Sequence, residues 1–368
     1  MRQNGHPLIK ALLFPFSMLY GVVVLIRNTC FNFGIFISRD FGFPIISVGN
    51  ITVGGTGKTP HVEYIVSLLR EEFRVGVLSR GYRRKSCGFV IASTASEVRD
   101  VGDEPLQIKR KFPDVEVAVD ADRVRGIRKL CSYNHGLQAM ILDDAFQHRR
   151  VKAGISILLV DYNQPLKNDL LLPAGRLREY VSAKNRAVIV IVSKCPPGIK
   201  PIERRILMKD LNLYPWQSLL FSTFSYGEPL PVFDDSVPFP GREKLREEKT
   251  RILMITGIVS PRPLKKHLRG ITPKIKHMAF PDHHQYTKRD AARIREAWES
   301  LGEQRKVIMT SEKDAMRFRQ TGDDIDPEIR KNMYYIPVTV SFIEKDGEAF
   351  NNQILHYVRN NKRDHIIC

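Results

Sequence analysis

Positions 48–60 read VGNITVGGTGKTP, a β-rich run that ends in clustered glycines, a lysine and a hydroxyl just before a helical apolar stripe begins. Backbone N–H groups of such a loop wrap a polyphosphate, and the helix start adds a favourable dipole. Lys58 supplies a point charge at the β and γ phosphates and Thr59 a hydroxyl for magnesium. The expected nucleotide contacts are therefore Thr52, Val53, Gly54, Gly55, Thr56, Gly57, Lys58 and Thr59. Thr52 stands where the G-x-x-x-x-G-K-[ST] pattern has its leading glycine, so Gly54 and Gly55 are expected to make the tight turn. In AMILDDAFQHR an apolar strand ends in Asp143 and Asp144, carboxylates that can approach magnesium on the same nucleotide. His148 either contacts phosphate or closes the turn.

Three further constellations carry polar chemistry. VGDEP sets Asp103 and Glu104 before a helix, where acids also serve as caps. FPDHHQY gathers Asp282, His283, His284 and Tyr286 in a break between strand and helix. A zinc site there lacks a third protein ligand, whereas a histidine paired with a distant carboxylate can orient and tune a general base toward a hydroxyl. SRGYRRK and PAGRLRE bring Arg80, Arg83, Arg84, Arg176 and Arg178 to strand ends, where guanidinium forks suit phosphate oxygens.

The elements that position these residues follow from periodicity. FPIISVG, VGVLS, VEVAV, AMILD, ISILLVD and AVIVIVS are near-continuous apolar strands of the kind buried on both faces, which predicts a parallel sheet with covering helices. Val62, Ile65, Val66 and Leu69 give the first helix its buried stripe. After a stretch rich in proline and charge, RILMIT, HMAF, KVIMT and MYYIPV begin a second series. The expected fold is α/β, a P-loop NTPase-like parallel sheet plus a second, smaller α/β domain and an apolar amino-terminal helical segment. The expected divisions are a membrane-associating segment 1–40, a nucleotide-binding kinase domain 41–225, a linker 226–249 and a second domain 250–368.

Residues 11–26, ALLFPFSMLYGVVVLI, carry no charge and are flanked by Lys10 and Arg27. The run is short for a crossing and Pro15 should disturb its helix, so interfacial attachment or a hydrophobic hairpin is expected over a clean span, a signal peptide or a buried core helix. Arg2, Lys10, Arg27 and Arg39 would reach anionic headgroups. The 368 residues hold 58 basic and 40 acidic side chains, a net +18 that favours an anionic partner. There is no nucleic-acid module to explain that charge. Five cysteines without a C-x-x-C pair argue against a disulfide framework and a zinc ribbon and suit a reducing compartment.

The ordered landmarks GNITVGGTGKTP, SRGY, GDEP, DDAFQHR, LPAGRLRE, ITGI, FPDHH and TSEKDA resemble the tetraacyldisaccharide 4′-kinases, the lipid A 4′-kinases of the Gram-negative inner membrane. The resemblance runs from the apolar start to about Thr339; Ala145 stands where the family has glycine, and Arg176 and Tyr180 replace prolines. It implies transfer of the ATP γ-phosphoryl group, with Mg2+, to the 4′-hydroxyl of an acylated glucosamine disaccharide 1-phosphate. It also implies an enzyme at the cytoplasmic face of the inner membrane, whose partners are that anionic lipid and the membrane surface, with no nucleic acid and no obligate protein partner. By the same resemblance Asp103 is the base facing the sugar hydroxyl, with His283 or His284 as its partner, and Lys58 and Asp144 take part in catalysis. Asp143, Asp144 and Glu179 serve magnesium, and Tyr82, Arg123, His148 and Arg178 lie around the phosphates or the hydroxyl. The alternatives are a nucleotide-gated interaction protein, which leaves Asp103 and the histidines without a task, and a soluble P-loop transferase with a small acceptor.

Overall fold

The structure, a computed structural model, describes residues 7–233 and 237–361. Arg2 lies outside them. In chain order the strands are β1 (Ile45–Gly49), β2 (Val75–Ser79), β3 (Val90–Ile91), β4 (Glu116–Val119), β5 (Ala139–Asp143), β6 (Ile155–Asp161), β7 (Ile189–Ser193), β8 (Ser218–Tyr226), β9 (Leu230–Pro231), β10 (Arg251–Thr256), β11 (Ile275–Ala279), β12 (Lys306–Ser311), β13 (Met333–Ile336) and β14 (Val338–Phe342). The larger sheet has the order β14-β8-β7-β6-β1-β5-β2-β4-β3, parallel from β8 to β4 and closed at each edge by an antiparallel strand. The smaller runs β11-β10-β12-β13-β9, with only β9 antiparallel.

Strand order explains where a ligand can sit. From β1 the chain turns one way to β5, β2 and β4 and the other way to β6, β7 and β8. A crevice therefore opens at the carboxyl ends of β1, β5 and β6, the usual ligand position in such sheets. The glycine loop leaves β1 and the two aspartates end β5 at that crevice. The predicted stripe Val62, Ile65, Val66 and Leu69 on the helix Lys58–Leu69 is fully buried against the sheet.

Two expected boundaries are corrected. The stretch 226–249 is not only a linker, because β9 lies in it and pairs with β13. The second domain does not run to the carboxyl end either: β14 pairs with β8, and the helix Asp346–Asn361 buries Phe350, Ile354 and Val358 in the core of the first sheet. The smaller sheet is thus an insertion between β8 and β14. Pro337 is the hinge point; without an N–H it ends the β13 ladder and lets the next strand join the other sheet. Phe350 stacks on Phe342 with ring centroids 4.7 Å apart and is 1% exposed. Phe350→Ala is expected to cost about 3–5 kcal/mol in urea unfolding, and a loss near zero would remove this helix from the core.

The apolar start also differs from expectation. One continuous helix spans Pro7–Asn32 with Pro15 inside it, and Leu8–Asn32 is long and apolar enough to cross a membrane. Its inward side docks on the body: Ser17 Oγ donates to Leu171 O at 2.9 Å, Tyr20 Oη to Arg178 O at 2.8 Å and Asn28 Nδ2 to Glu179 Oε2 at 3.0 Å. Leu12, Leu19, Val23 and Ile26 remain more than half exposed on the other side. Arg27, expected to reach headgroups, instead donates to Gln147 O at 2.6 Å.

Candidate active site

The loop from β1 is clipped before it curls. Val53 N donates to Arg176 O at 2.8 Å and Thr52 bridges Leu177, so the start of the loop is held against the PAGRLRE segment. Thr52 needs no glycine there. The turn falls to Gly54 and Gly57, at φ 111° and 89°; a Cβ on Gly57 would also sit 2.4 Å from the Phe224 ring. Ser193 Oγ donates to Thr56 O at 2.7 Å, and Lys194 Nζ to Gly55 O, anchoring the loop to the end of β7. Thr56 Oγ1 is buried without a partner and Thr59 is 1% exposed at the start of the helix.

Lys58 Nζ lies 3.5 Å from Asp144 Oδ1, and Arg178 Nη1 reaches both oxygens of Asp144 at 3.3 Å. Burial pushes the Asp144 carboxyl up, but these two cations outweigh it and hold it below its usual range. Asp143 is the opposite case. Fully buried, next to Asp144 and within the field of Glu104, it is raised to about 7. Ser79 Oγ donates to its Oδ2 at 3.0 Å and its Oδ1 has no partner. Arg123 is brought beneath this pair but 2% exposed, its guanidinium donating to the carbonyls of Asp120 and Asp143. Burial and the Arg123 and Arg80 charges lower His148 to about 4, so its imidazole is neutral. Glu179 is tied to Arg186 at 2.9 Å and to Asn28, leaving Oε1 without a partner.

Across the crevice, the helix Asp103–Lys111 aims its first turn at a cleft of about 390 Å3 between the two sheets. Tyr82, Arg83, Asp103, Asp282, His283 and Arg317 line it. His283 Nδ1 donates to Asp103 Oδ2 at 2.9 Å, while His284 bonds Asp290 at 2.9 Å, so only the first histidine meets the carboxylate. His283 has φ 58°, a left-handed bend that turns its ring back toward the other domain. Tyr82 lies 5.1 Å from that ring. Burial alone would raise Asp103, but the His283 bond and the Lys313 and Arg317 charges hold it far below the ordinary carboxylate range. Glu104 pairs with Lys313 and lies in the field of Lys58, so the two halves of the site share one electrostatic neighbourhood.

A family model described as Tetraacyldisaccharide-1-P 4'-kinase matches residues 9–359. The chain belongs to this family. The tetraacyldisaccharide 4'-kinase of Phocaeicola vulgatus is 47% identical over 358 residues, 97% of each chain. That of Bacteroides fragilis is 47% identical over 367 residues, 99% of this chain and 97% of the relative. The crystal structure of LpxK from Aquifex aeolicus in complex with ATP aligns with TM-score 0.72 at 27% identity, covering 95% of this chain and 99% of that one. Against this family fold, the residues here suit a magnesium nucleotide. Asp143 offers an unpartnered, buried carboxylate oxygen beside the loop, which a cation would satisfy. Magnesium on a nucleotide takes one or two carboxylates and finds its other oxygens on phosphates and water.

Three contributors were not legible in the sequence. Ser79, Lys313 and Arg317 touch Asp143, Glu104 and Asp103; Ser79 and Lys313 lie in the SRGY and TSEKDA landmarks, which gave them no role, and Arg317 lies just outside one.

Proposed function

We infer that the protein transfers the γ-phosphoryl group of ATP to the 4′-hydroxyl of tetraacyldisaccharide 1-phosphate, the kinase step of lipid A biosynthesis. The supporting observation is a phosphate loop on one side of the crevice and a histidine-paired carboxylate on the other, with Glu104, next to that carboxylate, in the field of Lys58. The loop amides and Lys58 would cradle the β and γ phosphates, and Arg178 would face the transferred group once Asp144 turns to a metal. Thr59, Asp143 and Asp144 would hold magnesium, which neutralises phosphate charge when bound; Glu179, braced through Oε2 by Arg186 and Asn28, keeps Oε1 for the same ion or its water. Asp103 accepts the hydroxyl proton as the new O–P bond forms and the β–γ bond breaks, leaving ADP. So acidic a carboxylate is a weak base, but phosphoryl transfer has a loose transition state in which the nucleophile loses its proton late. Asp103 mainly orients the hydroxyl and takes the proton last, with His283 fixing its direction.

The finer reading concerns the lipid. The helix Pro7–Asn32 would lie in the interface at the cytoplasmic face of the inner membrane, since its docked side cannot enter a bilayer while its exposed side can. Phe33, Ile35, Phe36 and Ile37, all exposed, would continue that contact. The test incubates the protein with labelled ATP, magnesium and the acylated disaccharide monophosphate in anionic vesicles. Labelled lipid is expected from the full chain and at least tenfold less from a chain lacking residues 1–38, which should also fail to sediment with the vesicles. No label from the full chain would overturn the kinase reading. Equal labelling by both chains would overturn the membrane reading.

A further inference from the structure

Of the ordered landmarks, ITGI has no role in the site as derived so far, and TSEKDA has only the Lys313 contact to Glu104. Both converge on Arg317. Its guanidinium is 3% exposed; Nη2 reaches Asp103 Oδ2, and Nη1 reaches Asp314 Oδ1 at 2.9 Å and Gly257 O at 3.0 Å. Asp314 is itself fixed on every side, accepting from Ser311 Oγ at 2.6 Å, from Gly257 N at 3.0 Å and from Tyr286 Oη at 3.2 Å. Gly257 leaves the room this needs: a Cβ there would sit 3.1 Å from Asp314 Oδ1 and 3.5 Å from Arg317 Nη1.

We propose that Arg317 is the positioning residue of the phosphoryl transfer, a fork held by the second domain that sets the direction of the Asp103 carboxylate. The proposal rests on the kinase reading given above and adds to it a reason for the second domain. Asp103 begins a helix of the first domain, and its Oδ1 accepts from the adjacent Glu104 N at 3.0 Å. Its Oδ2 meets two groups from the inserted domain, His283 and Arg317. The imidazole supplies one directed bond and the guanidinium a permanent charge. A planar fork with one arm on Asp103 and the other on Asp314 has no rotational freedom left, so the carboxylate is oriented before any hydroxyl arrives. An ammonium would bond one aspartate or the other, without fixing the angle between them. Beside Arg317 the same helix sends Lys313 to Glu104 and Glu312 toward Lys111, which keeps the two domains in register along the Asp103 helix.

The test compares the full-length enzyme with Arg317→Met, Arg317→Lys and Asp314→Asn. Arg317→Met should lower kcat by roughly 10- to 100-fold, part of what proton transfer contributes. It should leave the KM for ATP within about twofold, because the loop lies on the other domain, and the acidic limb of the kcat/KM profile should move to higher pH as the carboxylate loses its cation. Arg317→Lys should fall between the two, and Asp314→Asn should move the limb in the same direction by less. Should the Met variant not fold, Lys and Asn carry the comparison. A crystal structure of a folded variant supplies a readout independent of turnover, with Asp103 expected to turn away from His283. An unmoved carboxylate with a wild-type pH profile overturns the proposal, as does a loss confined to the KM for ATP. Wild-type enzyme that labels no lipid would instead sink the kinase reading, leaving the crystallographic comparison to judge Arg317.

Discussion

Lys58→Ala is expected to lower kcat by on the order of 10²- to 10³-fold, the usual loss when one preorganised donor to developing charge is removed. In the structure its ammonium is 11% exposed and paired with Asp144, so it is already desolvated at the helix start and needs only a short shift to meet a phosphate. The backbone amides of the loop remain in the variant, and ATP affinity should fall far less than turnover. Folding should survive, because Asp144 keeps Arg178. Single-turnover transfer from labelled ATP and direct nucleotide binding separate the two effects. Unchanged turnover would remove Lys58 from charge stabilisation, and a loss wholly in binding would make it a ground-state contact.

How far the sequence reaches is seen by taking residues in turn. β1, β5, β6 and β7 were legible because strands covered on both faces read as unbroken apolar runs. β8, SLLFSTFSY, was missed: its burial stops part-way and serines and threonines alternate with aromatics, so it resembles an edge or a loop. β14 was missed for a different reason. VTVSF follows MYYI after a single proline, and nothing local says that the chain changes sheets there. The glycine loop was legible down to single residues because its chemistry is contained in a dozen positions. Asp103 and its histidine are 180 positions apart, and only the resemblance paired them; the sequence left His283 and His284 open, and the left-handed bend at His283 separates them. Arg317 had no signal at all, since an arginine late in an ordinary helix is read as solvated until the fold buries it.

Asp103→Asn should lower kcat by on the order of 10²- to 10⁴-fold, the span that general acid–base groups contribute. Asparagine is the right probe. Alanine would leave the buried Nη2 arm of Arg317 and the His283 imidazole without their acceptor while Asp314 keeps the other arm, a loss of about 1–3 kcal/mol that would confuse destabilisation with lost chemistry. The amide oxygen still accepts from Arg317 or His283 and keeps the shape of the site, but it cannot take a proton. ATP binding should therefore be nearly unchanged and the KM for the lipid altered little. The sign of the pH response follows from the wild-type carboxyl. It is depressed on folding, so its ionised form, and the stability its pairing gives, are present above the unfolded value and lost only as pH falls through the lower folded one. Wild-type kcat/KM should accordingly show no acidic limb from Asp103 as pH falls through the ordinary aspartate value of about 4. Full turnover in Asp103→Asn would move the proton acceptor elsewhere, with His283 the group to test next. A variant that binds ATP poorly yet turns over normally would make Asp103 part of the nucleotide site and not of the hydroxyl site.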